Sequence, residues 1–190
     1  MNDVLKTYTK DNKILRIIQD TDPESPRTWE IQPNTMVCFH DRYDLGDKDH
    51  GFSDPDSFKE FMTENPGIVA LPIYLYDHSG LRMNTTGFDC RWDSGQVGWI
   101  YCTDKELQEE FKGDKDAAKK FLVGSIEAYD QYLCGDIWGF DLVETSVCSE
   151  GHTHENHLDS CWGFYGSDPM TNGMLENMDF DSLDEWELKE

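Results

Sequence analysis

Between Ile68 and Cys102 the chain reads IVALPIYLYDHSGLRMNTTGFDCRWDSGQVGWIYC, and no other stretch constrains the fold as much. It opens as a buried strand, breaks at Asp77-His78-Ser79-Gly80, crosses a polar, Gly-rich loop and closes as a second strand over Val97–Tyr101. Rigid strands that hold an irregular polar loop between them are a common way to present a functional site. The loop residues with chemistry to offer a ligand are His78, Thr85, Thr86, Asp93, Ser94 and Gln96, with Asp89 and Cys90 beside them.

The flanking segments supply the rest of a core. Residues 3–20 read as a strand pair turning at Asp11-Asn12, and Thr35–His40 has strand composition. The Pro-punctuated stretch from Asp20 to Pro33 is a loop with a short strand near Trp29–Ile31, and 40–53 is an exposed polar loop. Ser53-Asp54-Pro55 opens a helix that Asn65-Pro66-Gly67 ends. Thr103 and Glu106 form a capping-box pattern ahead of a short helix that stops at Gly113. The longest helix runs from about Asp114 to Cys134, where Ala118, Leu122, Ile126, Tyr129 and Leu133 make one stripe and Gly135 is the stop. Ile137–Val147 and Leu158–Tyr165 are partner strands joined by a polar hairpin connection, and a short helix follows near Met174–Met178. The expected fold is α+β: a single domain over 1–178, a mainly antiparallel sheet with two to four helices packed on one face, and an acidic C-terminal tail over 179–190. Phe180, Leu183 and Trp186 give that tail one apolar edge.

Composition narrows the function classes. The chain holds 190 residues, 39 acidic against 16 basic, for a formal charge of -23. Such a surface repels nucleic acid and anionic membranes and attracts basic surfaces. It fits a well-solvated acidic protein, adaptation to high salt, or a protein that docks into a groove made for phosphates. No apolar run reaches the roughly 20 residues of a membrane span, and MNDVLKTYTKDNK lacks a secretory apolar core, so a cytoplasmic chain is expected. Six scattered cysteines without a CxxC pair read as free thiols.

Three constellations invite chemistry. Cys148, His152, His154, His157 and Cys161 carry zinc-type ligands, yet C-x3-H-x-H-x2-H-x3-C matches no standard finger or ribbon. A solvated hairpin tip is the simpler reading, and neither a metal nor another cofactor is expected. Cys90 with His78 could form a nucleophile and base, but Asp89 and Asp93 oppose the thiolate that this needs. No catalytic residue is assigned. Trp92, flanked by Arg91 and Asp93 inside a loop, is the tryptophan expected to be exposed as a protein contact.

The blocks YLYDHSGLRMNTTGFDCRWDSGQVGWIY, EAYDQYLCGDIWGF and DSCWGFYG resemble a family of small acidic proteins of unknown function from bacteriophages and bacterial mobile elements, over roughly Ile68 to Gly173. The resemblance brings no catalytic residues. It implies a stoichiometric inhibitor that binds a basic host protein, such as a nucleic-acid-binding defence complex or nuclease, without touching nucleic acid or membrane itself. The contacts expected for that role are Asp41, Asp44, Asp47, Asp49, Asp54, Asp56, Trp92 and Asp93, with Asp179, Asp181, Asp184, Glu185 and Glu187 in the tail. The alternative is a small-molecule or nucleotide-signal site, sponge or hydrolase, in the 77–96 loop. A homodimer stays open.

Overall fold

The computed structural model describes residues 4–29, 32–178 and 180–189. The chain divides into two compact units. Residues 25–134 form one, and the stretches before and after them together form the other. The class is the expected one: α+β, with nine strands in two antiparallel sheets and four α-helices among the described residues.

The discontinuous unit is a five-stranded sheet in the order β8-β7-β2-β1-β9. Its strands are β1 (Val4–Lys10), β2 (Lys13–Gln19), β7 (Ile137–Val147), β8 (Thr153–Tyr165) and β9 (Glu187–Lys189). β1 turns into β2 at Asp11, whose φ of 52° is a left-handed value that Asp tolerates better than most side chains. Alternation then sorts the strands: Leu15 and Ile17 on β2 and Phe140 and Leu142 on β7 point to one side. That side is covered by the short helix α4 (Met174–Asn177) and the chain after it, through Met174, Leu175, Met178 and Leu183. Phe180 and Trp186 pack against the same cluster, and β9 pairs with β1 from Thr7 to Thr9. Residues 180–189 are therefore a lid and an edge strand of this sheet, not a free tail. Their apolar residues, Phe180, Leu183 and Trp186, recur every three positions and find a core to bury in. On the other side Gly139 leaves space for an indole: a Cβ there would stand 2.3 Å from the ring of Trp162.

The inserted unit is a four-stranded sheet in the order β3-β6-β4-β5, made of β3 (Thr35–Cys38), β4 (Val69–Asp77), β5 (Leu81–Asn84) and β6 (Ser94–Cys102). Its period-2 pattern buries both faces. Met36, Val69, Ile73, Leu75, Met83, Ile100 and Cys102 meet α2 (Asp104–Phe111) and α3 (Lys115–Cys134) through Leu107, Ala118, Leu122, Ile126 and Tyr129. Leu122 and Ile126 are fully buried, each stabilising the fold by about 1.5–3 kcal/mol. Val37, Trp99 and Tyr101 face the other way, onto α1 (Pro55–Glu64), where Phe52, Phe58 and Phe61 complete an aromatic cluster. Helices thus lie on both faces of this sheet. β3 closes so tightly on β6 that a Cβ at Gly98 would sit 1.9 Å from the Val37 carbonyl oxygen.

The caps read from sequence are in place. Asp54 and Ser57 form a reciprocal box at α1, Thr103 and Glu106 another at α2, and Gly135, at φ 72°, follows the last residue of α3. Two boundaries differ. The 77–96 loop contains β5, paired with β4 from Tyr74 to Asp77, and β6 begins at Ser94 instead of Val97. β8 begins at Thr153 instead of Leu158, so the hairpin connection is only Cys148–His152. The strand expected near Trp29–Ile31 falls in part outside the described residues; Trp29 itself is a bend after a short 3-10 helix, Pro26–Thr28.

Candidate functional site

The 77–96 loop is clasped from both ends. The Asp77 N–H donates to the Asp93 carbonyl at 2.8 Å, and the Asp77 carboxylate takes the Tyr43 hydroxyl at 3.2 Å and the Arg42 guanidinium. At the closure the Asp93 carboxylate stands 3.3 Å from the Cys90 thiol and 3.5 Å from His78 Nδ1. The order is thiol, carboxylate, imidazole. A nucleophilic thiol is activated by a cation or an imidazole beside it; here the Asp93 carboxylate stands between the thiol and the imidazole, and the three side chains tie a turn. The Ser94 hydroxyl tightens it by donating to the Cys90 carbonyl.

Thr85 and Thr86 lie in a second turn, which Asn84 pins by accepting from the N–H groups of Thr86 at 3.1 Å and Gly87 at 2.7 Å. Beside it opens a cleft of about 390 Å³ whose lining includes Tyr74, Thr86, Phe88, Asp89, Arg91 and Ser94. Of the six expected ligand contacts it takes in Thr86 and Ser94. His78, Thr85 and Asp93 do not line it, and Gln96 is an exposed β6 residue that donates to the Gly98 carbonyl at 3.2 Å.

The histidine-rich segment does not converge. Cys148 and His152 close the hairpin turn, with the Cys148 N–H donating to the His152 carbonyl at 3.0 Å. His154 and His157 pair in unbroken register with Ser146 and Val143, three positions apart, so they point to opposite faces of β8. Among the described residues no group of three or more His, Cys, Asp or Glu could hold a metal ion. The turn does affect one thiol: N–H groups of Glu150 and then His152 hold Cys148 below the usual thiol range.

The acidic candidates divide into free and engaged. Asp41, Asp44, Asp49, Asp54 and Asp56 are exposed, Asp54 serving as the α1 cap, where the Ser57 N–H holds its carboxyl below the ordinary range. Asp181 and Asp184 are exposed, Glu185 pairs with Lys10, and Glu187 pairs with Lys189 at 2.8 Å. Asp179 lies outside the described residues. Trp92 is 96% exposed.

Asp47 is the correction. It is bound at 2.8 and 2.7 Å by Arg27, whose side chain is 5% exposed, and it also accepts the Met36 N–H at 2.8 Å. The other Arg27 donors go to Gln32 Oε1, Asn34 Oδ1 and the Asn34 carbonyl, so all five N–H groups are spent. Behind this hub, burial pushes the Cys38 thiol up to about 12, with Asp47 adding to the shift.

Two clefts flank the hub and escaped the sequence reading. One, about 370 Å³, is lined by Pro26, Trp29, Gln32, Phe121, Gly124, Ser125 and Ala128 with Arg27. The other, about 710 Å³, shares Arg27, Trp29 and Gln32 and adds Asp44, Asp47, Asp49, Lys48, His50 and Tyr132 among its walls. Their parts lie too far apart in the chain for any local pattern to join them. A charge signal was readable: from Phe121 to Leu188 the chain has no Lys or Arg. No helix among the described residues is long and apolar enough to cross a membrane. Comparison of the chain with protein-family models, with curated proteins and with solved structures finds no match in any of the three.

Proposed function

We propose that this chain acts by occupying a basic protein surface, as a stoichiometric inhibitor of a nucleic-acid-binding host protein such as a defence nuclease, in the manner of a phage-encoded polyanion mimic. The observation that carries the reading is the distribution of charge. The discontinuous unit holds 19 acidic residues against 5 basic ones. Three of those cations, Lys10, Arg16 and Lys189, are already paired with carboxylates of the same unit. The remaining field is largely unneutralised, and clustered charge of one sign steers and holds a partner of the other.

The test is capture of tagged protein from bacterial lysate carrying defence systems, at low salt and again at about 0.5 M, where the Debye length falls to a few Å. A stoichiometric basic, nucleic-acid-binding protein released by salt and by competing DNA supports the reading. Equal capture by an unrelated protein of the same net charge would overturn it. Changing Glu150, Asp159, Asp181 and Asp184 together to amides should weaken the captured complex about tenfold at low salt.

A second reading, a nucleotide-signal or other small-molecule site, draws on the 390 Å³ cleft, where Arg91 offers a cation and Thr86 and Ser94 offer hydroxyls. Loss of function in Arg91→Ala, a residue that lines the cleft, with fold and partner capture intact would favour it over the acidic surface.

A further inference from the structure

The two clefts beside Arg27 offer complementary chemistry, and neither belongs to the acidic surface of the other unit. The smaller has an apolar wall. Trp29 and Phe121 are 45% and 40% exposed there, and Gly124 leaves the α3 side open, since a Cβ at that position meets nothing within 4 Å. Its polar groups are satisfied from within. Gln32 Nε2 donates to the Pro26 carbonyl at 2.8 Å, the Ser125 hydroxyl donates to the Phe121 carbonyl at 3.1 Å, and every Arg27 donor is used. An occupant gains contact with flat apolar surface here and few hydrogen bonds.

Past the shared Trp29 and Gln32, the larger cleft has three carboxylates. Asp47 is committed to Arg27, while Asp44 meets only Lys48, at 3.1 Å with both side chains more than three-quarters exposed. The Asp49 carboxylate makes no ion pair or hydrogen bond with the described residues. With Arg27 saturated and Lys48 facing Asp44, an anion finds no unpaired Lys or Arg among the described residues of this cleft, whereas an ammonium group finds Asp49, and Asp44 in competition with the exposed Lys48.

We propose that the joined clefts form a binding site for a small arylalkylamine, its ring in the Trp29–Phe121–Gly124 compartment and its ammonium group toward Asp49 and Asp44.

Three probes that share one ring test this by calorimetry on the full chain: 2-phenylethylamine, 2-phenylethanol and 3-phenylpropanoate. The amine should bind with a Kd on the order of 0.1–1 mM, at least about tenfold more tightly than the carboxylate, with the alcohol between them. Gly124→Leu should weaken the amine about tenfold or more by filling the apolar compartment. Trp29→Ala, at a half-exposed position, should do the same and serves if leucine disturbs α3. Asp44→Asn with Asp49→Asn should bring the amine down to the alcohol while leaving the alcohol unchanged. Equal binding of amine and carboxylate would overturn the proposal. So would an amine unaffected by both the Gly124 and Trp29 variants, or no saturation of the amine by about 10 mM.

Discussion

The two units use charge in opposite ways. The discontinuous unit sets 19 acidic residues against 5 basic ones, the inserted unit 20 against 11. In the first, ion pairs lie on the outside of a sheet: Arg16 reaches Glu155 at 2.9 Å and Asp141 at 3.3 Å with its side chain 24% exposed. In the second, one guanidinium is buried and coordinated by five bonds, and it holds the 3-10 turn to the residues just before β3 and to the loop after it. Charge is a field in one unit and a fastener in the other. Long-range attraction needs unneutralised, solvent-facing groups, while a fastener needs every donor matched and water excluded.

The largest effect that separates these roles should come from Arg27→Ala. Breaking a buried pair leaves a carboxylate without its partner and costs about 3–5 kcal/mol; partial exposure of Asp47 places this case near 3. Arg27→Lys should recover little, because an ammonium cannot fork to Asp47, Gln32 and Asn34 at once. Arg16→Ala should cost only about 1 kcal/mol, as partly exposed pairs do. Urea melts of the three variants decide this, and equal losses from Arg16→Ala and Arg27→Ala would erase the contrast.

A smaller effect should appear with pH. Burial raises Cys38 to about 12 and also raises Cys102, Tyr101 and Tyr129, all in the inserted unit. An unfolded thiol ionises near 9 while the folded Cys38 keeps its proton, so this stability is present below 9 and drains away as pH rises toward 12. In the discontinuous unit Arg16 holds Glu155, and Lys10 holds Glu185, below the ordinary carboxyl range. Their contribution is present above about 4.5 and is lost as pH falls through the folded values. Cys38→Val should make the alkaline limb of the melting profile shallower, and Glu155→Gln the acid limb. Tyr8, raised by burial and by Asp168, adds an alkaline contribution to the discontinuous unit and bounds how clean the split can be.

The smallest test sharpens the comparison at single thiols. Cys148, lowered by the N–H groups of its turn, should alkylate fastest at pH 7.5, and Cys38 and the fully buried Cys102 slowest, with the exposed Cys134 between them. Peptide mass spectrometry reads all six. If the field around the hairpin is as negative as its composition, neutral iodoacetamide should outpace anionic iodoacetate at Cys148 by a margin that closes at high salt.

What could be read from the residues was whatever has a buried face. β3, β4 and β6 are apolar strands because each meets a core on both faces, the α3 stripe recurs because one side of the helix meets a core, and the caps at Asp54 and Thr103 are local chemistry. The missed strand segments lack that pattern. Residues 153–157 are exposed throughout, so nothing in their polarity alternates, and only pairing with β7 makes them a strand. β5 hides Leu81 and Met83 between Arg82 and Asn84, and Asp130 on α3, 47 positions away, takes the Met83 N–H at 2.6 Å. The same distance argument explains Asp47, which reads as one more exposed acid until Arg27 is brought to it. It explains the clefts as well, since Trp29 and Gly124 share no sequence neighbourhood. In the 77–96 loop Asp93 and His78 serve the turn, a role that their residue types alone do not reveal.

The split construction of the five-stranded unit bears on how the chain emerges from a ribosome. β2 is complete at Gln19, but its partner β7 ends at Val147 and β8 at Tyr165. At about 5–20 residues per second the first hairpin waits roughly 7–30 s with Leu15 and Ile17 uncovered. During that interval the intervening residues can finish their own sheet. The waiting hairpin holds Lys6, Lys10, Lys13 and Arg16, four of the five cations of its unit, and the late-arriving half brings 14 of its 19 acids. Positive charge on an early strand discourages pairing with a second nascent chain and draws in the carboxylates that complete the sheet. The order of synthesis and the order of charge run the same way.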